Sequence, residues 1–324
     1  MITRKEFSFP SSAEGKNIYA CIWVCEGFQH YKGIVQIAHG MEEHILRYQG
    51  FAVFLANQGF IVCGNDHLGH GRSMENWEDR GHFGDGEDNW KFLIQDMHYL
   101  MHFMKNRYEP MPFFLLGHSM GSFLAREFAA LYGDELSGAV FLGTSGGNAF
   151  LNVGIALCEE GIQLKGPKAR GYSASRLAFG AFNIKFLPAR TNYDWLSSDE
   201  KAVDGFIEDV KCGFEFTYTA YRDLFTLLKT ISSLEWAQRV RKDLPMLLLS
   251  GGKDPVGDYG KGVEKVYQWL KEAGCQFVSM KLYEDGRHEV LNEQFYRKVY
   301  RYILKWLNET IENLGMNGTV DKLP

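Results

Sequence analysis

The spacing of apolar positions divides the chain before any residue's chemistry is considered. Residues 5–9 and 18–24 alternate apolar and polar side chains around "PSSAEGKN", the period-two pattern of a β-hairpin with one buried face. "GIVQIAHG" (33–40), "GFIVCGND" (59–66), "FFLLG" (113–117) and "GAVFLG" (138–143) are instead short unbroken apolar runs, as expected of strands buried on both faces. Between them, apolar residues recur at helical spacing over 44–57, over 87–108 and through "SFLAREFAALYG" (122–133). In the second of these helices Trp90, Leu93, Ile94, Met97, Leu100, Met101 and Met104 fall on one face. Gly133 stands where a helix C-cap is expected.

Buried strands alternating with amphipathic helices predict an α/β fold, with a mostly parallel central sheet covered by helices on both faces. The alternation stops at residue 144. From 145 to about 235 the sequence is helical and rich in aromatic residues, with no short buried strand. The strand pattern resumes with "LPMLLLSGG" (244–252), a helix over 259–273, a strand in "QFVSMKLYE" (276–284) and a final helix over 289–313. The expected organisation is a core made of 1–144 and 236–313, a helical insert over 145–235, and a frayed tail over 314–324.

Composition removes several classes of function. The formal net charge is −5 and the Lys and Arg residues form no basic block, so no nucleic acid partner is expected. No apolar run approaches the ~18 residues of a membrane span. The basic residues near the N-terminus are not followed by the apolar core of a signal peptide. The six cysteines form no CxxC pair, and reduced thiols in a cytoplasmic protein are the expectation.

Candidate chemistry begins at "GHSMG" (117–121), where a buried strand breaks into a Gly-x-Ser-x-Gly turn and a helix follows. Small flanking residues let strand and helix approach, and the tight turn lifts the Ser119 hydroxyl clear of the sheet. "GTSGG" (143–147) fits the same pattern, so the motif alone does not choose between Ser119 and Ser145. Position does: Ser119 follows the third strand of the run that begins with "IVQIAHG", whereas Ser145 stands where the alternation ends.

A serine hydroxyl needs a base, and the base needs an orienting acid. After a nucleophile elbow these come in the order Ser, Asp or Glu, His, each past a later strand. Asp254 in "GGKDPVGD" and His288 in "EDGRHEVLNE" meet that order, with Asp258 and Asp285 as rivals for the acid. No histidine other than His288 lies beyond His118. The Met41 N–H in "AHGMEEH" and the Met120 N–H after the serine are placed to hold an oxyanion. His67 and His70 lack a matching set of metal ligands and are expected to shape their loop. His98 and His102 are four residues apart without an HExxH motif, so no metal site is expected; nor is there a dinucleotide or phosphate loop, so no cofactor is expected either.

Together, "HGMEEHILRY", "NDHLGHGRS", "GHSMGS", "GGKDPVG" and "GRHEVLNE" resemble the α/β-hydrolases of the monoacylglycerol lipase and lysophospholipase group, and "RTNYDWLSSDEKAVDGFIEDVKCGFEFT" resembles the lid segment of bacterial members. The resemblance implies the α/β-hydrolase fold and a serine hydrolase acting on small-molecule, single-chain acyl esters through an acyl-enzyme. Ser119, Asp254 and His288 would be its triad, with the insert as a mobile lid framing an acyl tunnel. A carboxylesterase for short or aromatic acids is the nearest rival, with Phe179, Phe182, Phe186 and Trp195 lining a small pocket. An aminopeptidase would need carboxylates to hold an ammonium, for which Glu159 and Glu160 are candidates. A non-catalytic binding module would have no use for Ser, Asp and His in these three places. An exposed apolar lid face leaves two further partners open: a lipid surface touched transiently, and a second copy of the chain.

Overall fold

The computed structural model describes residues 1–315. The tail expected over 314–324 therefore lies, past Gly315, outside the described residues. Eight strands form one sheet: β1 (Ile2–Pro10), β2 (Asn17–Cys25), β3 (Gly33–Ala38), β4 (Phe60–Asn65), β5 (Phe113–His118), β6 (Gly138–Leu142), β7 (Met246–Gly251) and β8 (Val278–Tyr283). Their order across the sheet is β1-β2-β4-β3-β5-β6-β7-β8. β1 and β2 pair antiparallel, as do β2 and β4, while every pairing from β4 through β3 to β8 is parallel. The unbroken apolar runs are the interior strands β3 to β7, in which every residue is buried. Of the two alternating segments, only β1 lies at the edge with most of its residues open to water; β2 sits between β1 and β4 and residues 18–24 are all buried, so the water-facing side expected for that strand is covered.

The helices are α1 (Gln49–Ala56), α2 (Trp90–Arg107), α3 (Met120–Tyr132), α4 (Leu151–Lys165), α5 (Tyr172–Phe179), α6 (Glu200–Glu208), α7 (Tyr218–Ile231), α8 (Leu234–Arg239), α9 (Lys261–Glu272) and α10 (Tyr296–Asn313). Successive strand residues face opposite sides of the sheet. Ile34, Phe113, Leu115 and Phe141 pack with α2, α3 and α9 through Met97, Leu124 and Val266. Val35, Phe114, Leu116 and Val140 pack with α1 and α10 through Phe51, Ile303 and Leu307. α4 to α8 form the helical segment between β6 and β7. No helix among the described residues is long and apolar enough to cross a membrane.

A further local expectation needs correction. The last helix starts at Tyr296 and not near 289, because the preceding backbone is committed elsewhere. The Glu289 N–H goes to the Leu196 carbonyl (2.7 Å) and the Arg287 N–H to the Glu293 carboxylate (2.7 Å). Gly133 is the C-cap of α3, as expected; its φ of −57° is right-handed and the chain continues into a 3-10 turn. Its carbonyl is capped by Arg241 at 3.0 Å.

Chain order reverses at β3: β4 lies on one side of it and β5 on the other. The loops leaving the C-terminal ends of β3 and β5 therefore part there, and open α/β sheets bind ligands at such a point.

Candidate active site

A cavity of about 990 Å³ opens at this edge. Gly40 and Met41, just past β3, line it, as do Ser119 and Met120 past β5, and His288 past β8. Ser119 has φ +53° and ψ −122°, a conformation costing roughly 1–3 kcal/mol for a non-glycine residue. The flanking glycines make the turn possible. A Cβ on Gly117 would meet the Gly121 carbonyl oxygen at 2.2 Å, and one on Gly121 would meet the Ala38 carbonyl oxygen at 2.1 Å. Met120 is the first residue of α3, so no carbonyl within the helix accepts its N–H.

His288 and Asp254 are both buried, and His288 Nδ1 lies 3.0 Å from Asp254 Oδ1. Asp254 also accepts from Ser250 Oγ (2.9 Å) and from the Val256 N–H (2.9 Å). Burial alone would raise the Asp254 pKa, but the neighbouring His288 and these donors hold it below the ordinary value. Neither rival acid comes near: Asp258 is exposed, and Asp285 is an exposed partner of Lys253. Ser145 does not line the cavity; its carbonyl accepts from Arg126 at 2.6 Å. Gly143, in the same "GTSGG" stretch, has φ +56° and passes under His288, where a Cβ would lie 2.9 Å from the ring.

Behind these residues lies a buried ionic network that the sequence reading missed. The Glu43 carboxylate accepts from the Gly40 N–H (2.5 Å) and from Tyr48 Oη (2.6 Å), and it pairs with Arg47. Arg47 also makes a two-pronged bond to Glu289 at 2.7 and 2.8 Å. His118 Nδ1 lies 2.9 Å from Tyr48 Oη, and its Nε2 lies 3.4 Å from the His288 carbonyl. Burial opposes charging Glu43, yet the Arg47 guanidinium and then His118 keep its pKa well below the carboxylate range. Burial likewise opposes protonation of His118, but the hydrogen bond and charge of Glu43 outweigh it and raise the pKa. These residues connect the loops carrying Met41, Ser119 and His288. The local signal for them was the acidic pair in "HGMEEH", but their partners come from distant segments.

His67 and His70 are buried beside His39, and His70 Nε2 accepts the Glu42 N–H at 3.3 Å. Burial pushes their pKa values down to about 3 and about 4, so both rings are neutral near pH 7. They stand in the loop past β4, which the sequence reading expects them to shape, and they also brace the neighbouring loop past β3. Of the aromatic residues considered for a pocket, Phe179 and Trp195 line the cavity and stack on each other, and Trp195 approaches the His288 ring at 5.2 Å. Phe182 packs against both without lining it, and Phe186 lies under the Arg287 guanidinium. Glu159 and Glu160 are exposed on α4, away from the cavity. The carboxylates that line it are Glu42, Glu43, Glu215 and Glu289. His44, Asp209 and Cys212 stand close to one another, with Cys212 alone of the three lining the cavity and His44 bonded to Asp209 at 2.8 Å.

Residues 29–295 match the family described as serine aminopeptidase, S33. The monoglyceride lipase of Rattus norvegicus is 26% identical over 310 residues, which span 94% of this chain and 91% of that protein. Among solved structures, a thermostable carboxyl esterase from Bacillus coagulans, in complex with glycerol, is similar at TM-score 0.88 and 31% identity, over 95% of this chain and 99% of that one. A monoglyceride lipase from Saccharomyces cerevisiae, at TM-score 0.72 and 18% identity over 94% of each chain, shares the fold. The elbow, the sheet and these likenesses agree: the chain belongs to the serine aminopeptidase S33 family and is a monoacylglycerol lipase-like hydrolase of the α/β-hydrolase fold.

Proposed function

We propose that the protein hydrolyses single-chain acyl esters of the monoacylglycerol or lysophospholipid type, with Ser119 as nucleophile, His288 as base and Asp254 as its orienting acid. The observation that carries this reading is the buried 3.0 Å His288–Asp254 contact, with His288 opening on the same cavity as the strained Ser119. His288 Nε2 takes the proton as Ser119 Oγ attacks the ester carbonyl, and Asp254 stabilises the resulting cation. The N–H groups of Met41 and Met120 hold the oxyanion. The proton on His288 goes to the departing alcohol, and water repeats the cycle to free the acid. Residues 145–235 act as a lid; in support, Phe179, Trp195 and Phe214 of that segment wall the cavity.

The test is hydrolysis of monoacylglycerols and synthetic esters of rising acyl length, with Ser119→Ala in parallel. Medium or long chains should be preferred, and the variant should lose activity by about 10⁴-fold or more. A phosphonate probe should label Ser119 in the wild type. Turnover of short esters only would favour the small-pocket carboxylesterase, and a fully active Ser119→Ala would remove the elbow assignment.

A second reading rests on Glu42 and Glu215. Both line the cavity, and the Glu42 carboxylate has no hydrogen-bond partner among the described residues. A pair of carboxylates suits an ammonium, so aminoacyl anilides belong in the same assay. Their hydrolysis at rates above those of the esters would favour an aminopeptidase.

A further inference from the structure

The four-residue spacing of His98 and His102 is too common on helices to mark a site alone, but the fold supplies a third ligand-type group from another element. The two histidines lie one turn apart on α2, and Glu135 comes from the 3-10 turn that follows α3. His98 Nε2 lies 2.7 Å from Glu135 Oε1 and 3.0 Å from His102 Nε2, and His102 Nε2 lies 3.4 Å from Glu135 Oε2. A divalent transition metal with bonds of about 2.0–2.1 Å holds adjacent donor atoms about 3.0–3.4 Å apart in octahedral or tetrahedral geometry. The donors are thus already near the spacing a metal needs, and small side-chain rotations complete it.

The surroundings favour entry and order. His102 is half exposed, so the site opens to solvent. The Tyr132 ring stacks on His98 at 3.8 Å and fixes its plane. The competing charge is Lys105, whose Nζ lies 3.3 Å from Glu135 Oε2. Its second bond, to the Glu135 carbonyl at 2.9 Å, can retain the ammonium after the carboxylate turns to a metal. Apart from this pair, only His30 among the ten histidines is exposed.

We propose that His98, His102 and Glu135 form a surface site for a divalent transition metal that prefers imidazole and carboxylate ligands, such as Zn²⁺ or Ni²⁺, and that water fills its remaining positions. The bound metal cross-links α2 to the end of α3, the helix that follows Ser119. The site is independent of the hydrolytic reading.

Calorimetric titration of nickel chloride into the EDTA-stripped, full-length protein tests it. Ni²⁺ is the probe because the thiols of the six cysteines compete more strongly for Zn²⁺. One equivalent should bind to the wild type. H102Q and E135Q should each weaken binding by at least about tenfold, and the H98Q/H102Q double variant should lose it. The same nickel addition should raise the wild-type Tm by a few degrees and leave the double variant unmoved. All three side chains are partly exposed, so the variants are expected to fold, and circular dichroism checks this. No wild-type binding at about millimolar Ni²⁺, or equally tight binding by the double variant, overturns the proposal.

Discussion

A methyl group on Gly121 would sit 2.1 Å from the Ala38 carbonyl oxygen and 2.5 Å from that of His39, both in rigid backbone. Neither can yield without moving β3 away from α3. Gly121→Ala should therefore destabilise the fold by about 3 kcal/mol and abolish activity, as urea unfolding and an ester assay would show. At this scale the sequence was legible, because the elbow is a local motif whose residues are neighbours in the chain. That Asp254 and His288 come together was readable for a related reason, since each lies just beyond a strand. Glu43, Arg47, His118 and Glu289 were not. Their roles depend on contacts across as many as 242 residues, which periodicity does not encode.

Between elements, the Glu43 carboxylate joins loops that carry separate parts of the proposed machinery. Glu43→Gln keeps an acceptor for the Gly40 N–H but leaves Arg47 with Glu289 as its remaining partner. We expect kcat to fall about tenfold to a hundredfold with KM little changed, and stability to drop by about 1–3 kcal/mol. Steady-state kinetics separates this from a general loss of folded protein. A second buried carboxyl joins α7 to the start of α2: Asp223 accepts from Asn89 Nδ2 at 2.9 Å, and burial pushes its pKa up to about 7. The folded chain then keeps a proton there that the unfolded chain releases near about pH 4. The stability from this group is complete below about pH 4 and lost as pH rises through about 7. Asp223→Asn should thus match the wild type near pH 4 and exceed its Tm by a few degrees near pH 8. Element types were legible because long periodic stretches report burial. The start of α10 was not, since tertiary hydrogen bonds to Leu196 and Glu293 decide it.

In the whole molecule, stability is spread unevenly. Residues 172–190 present Tyr172, Ile184 and Leu187 to solvent, whereas α7 buries Thr219, Tyr221 and Ile231 completely. Amide hydrogen exchange should be fast across 172–190 and slow across α7, and similar rates in both would remove the basis for a moving lid. The α/β architecture was legible from the order of strands and helices. How the insert attaches was not, because its anchors join segments distant in the chain, among them one buried residue on α3.

That residue is Arg126. It donates to the Ser145 carbonyl where the insert leaves β6 and to the Ile231 carbonyl where α7 ends, and Trp236 packs over its guanidinium at 4.4 Å. Both roots of an excursion of some ninety residues are thereby clasped by the helix that follows Ser119. The consequence concerns inheritance as much as mechanics. The stretch between the two roots can drift or be exchanged while the core keeps its shape, provided that the clasp survives. A chimera joined inside 146–230 that keeps the bonds to Glu289 and Asn89 should fold, whereas one that severs either root from Arg126 should not, so one guanidinium marks both ends of the transferable cassette.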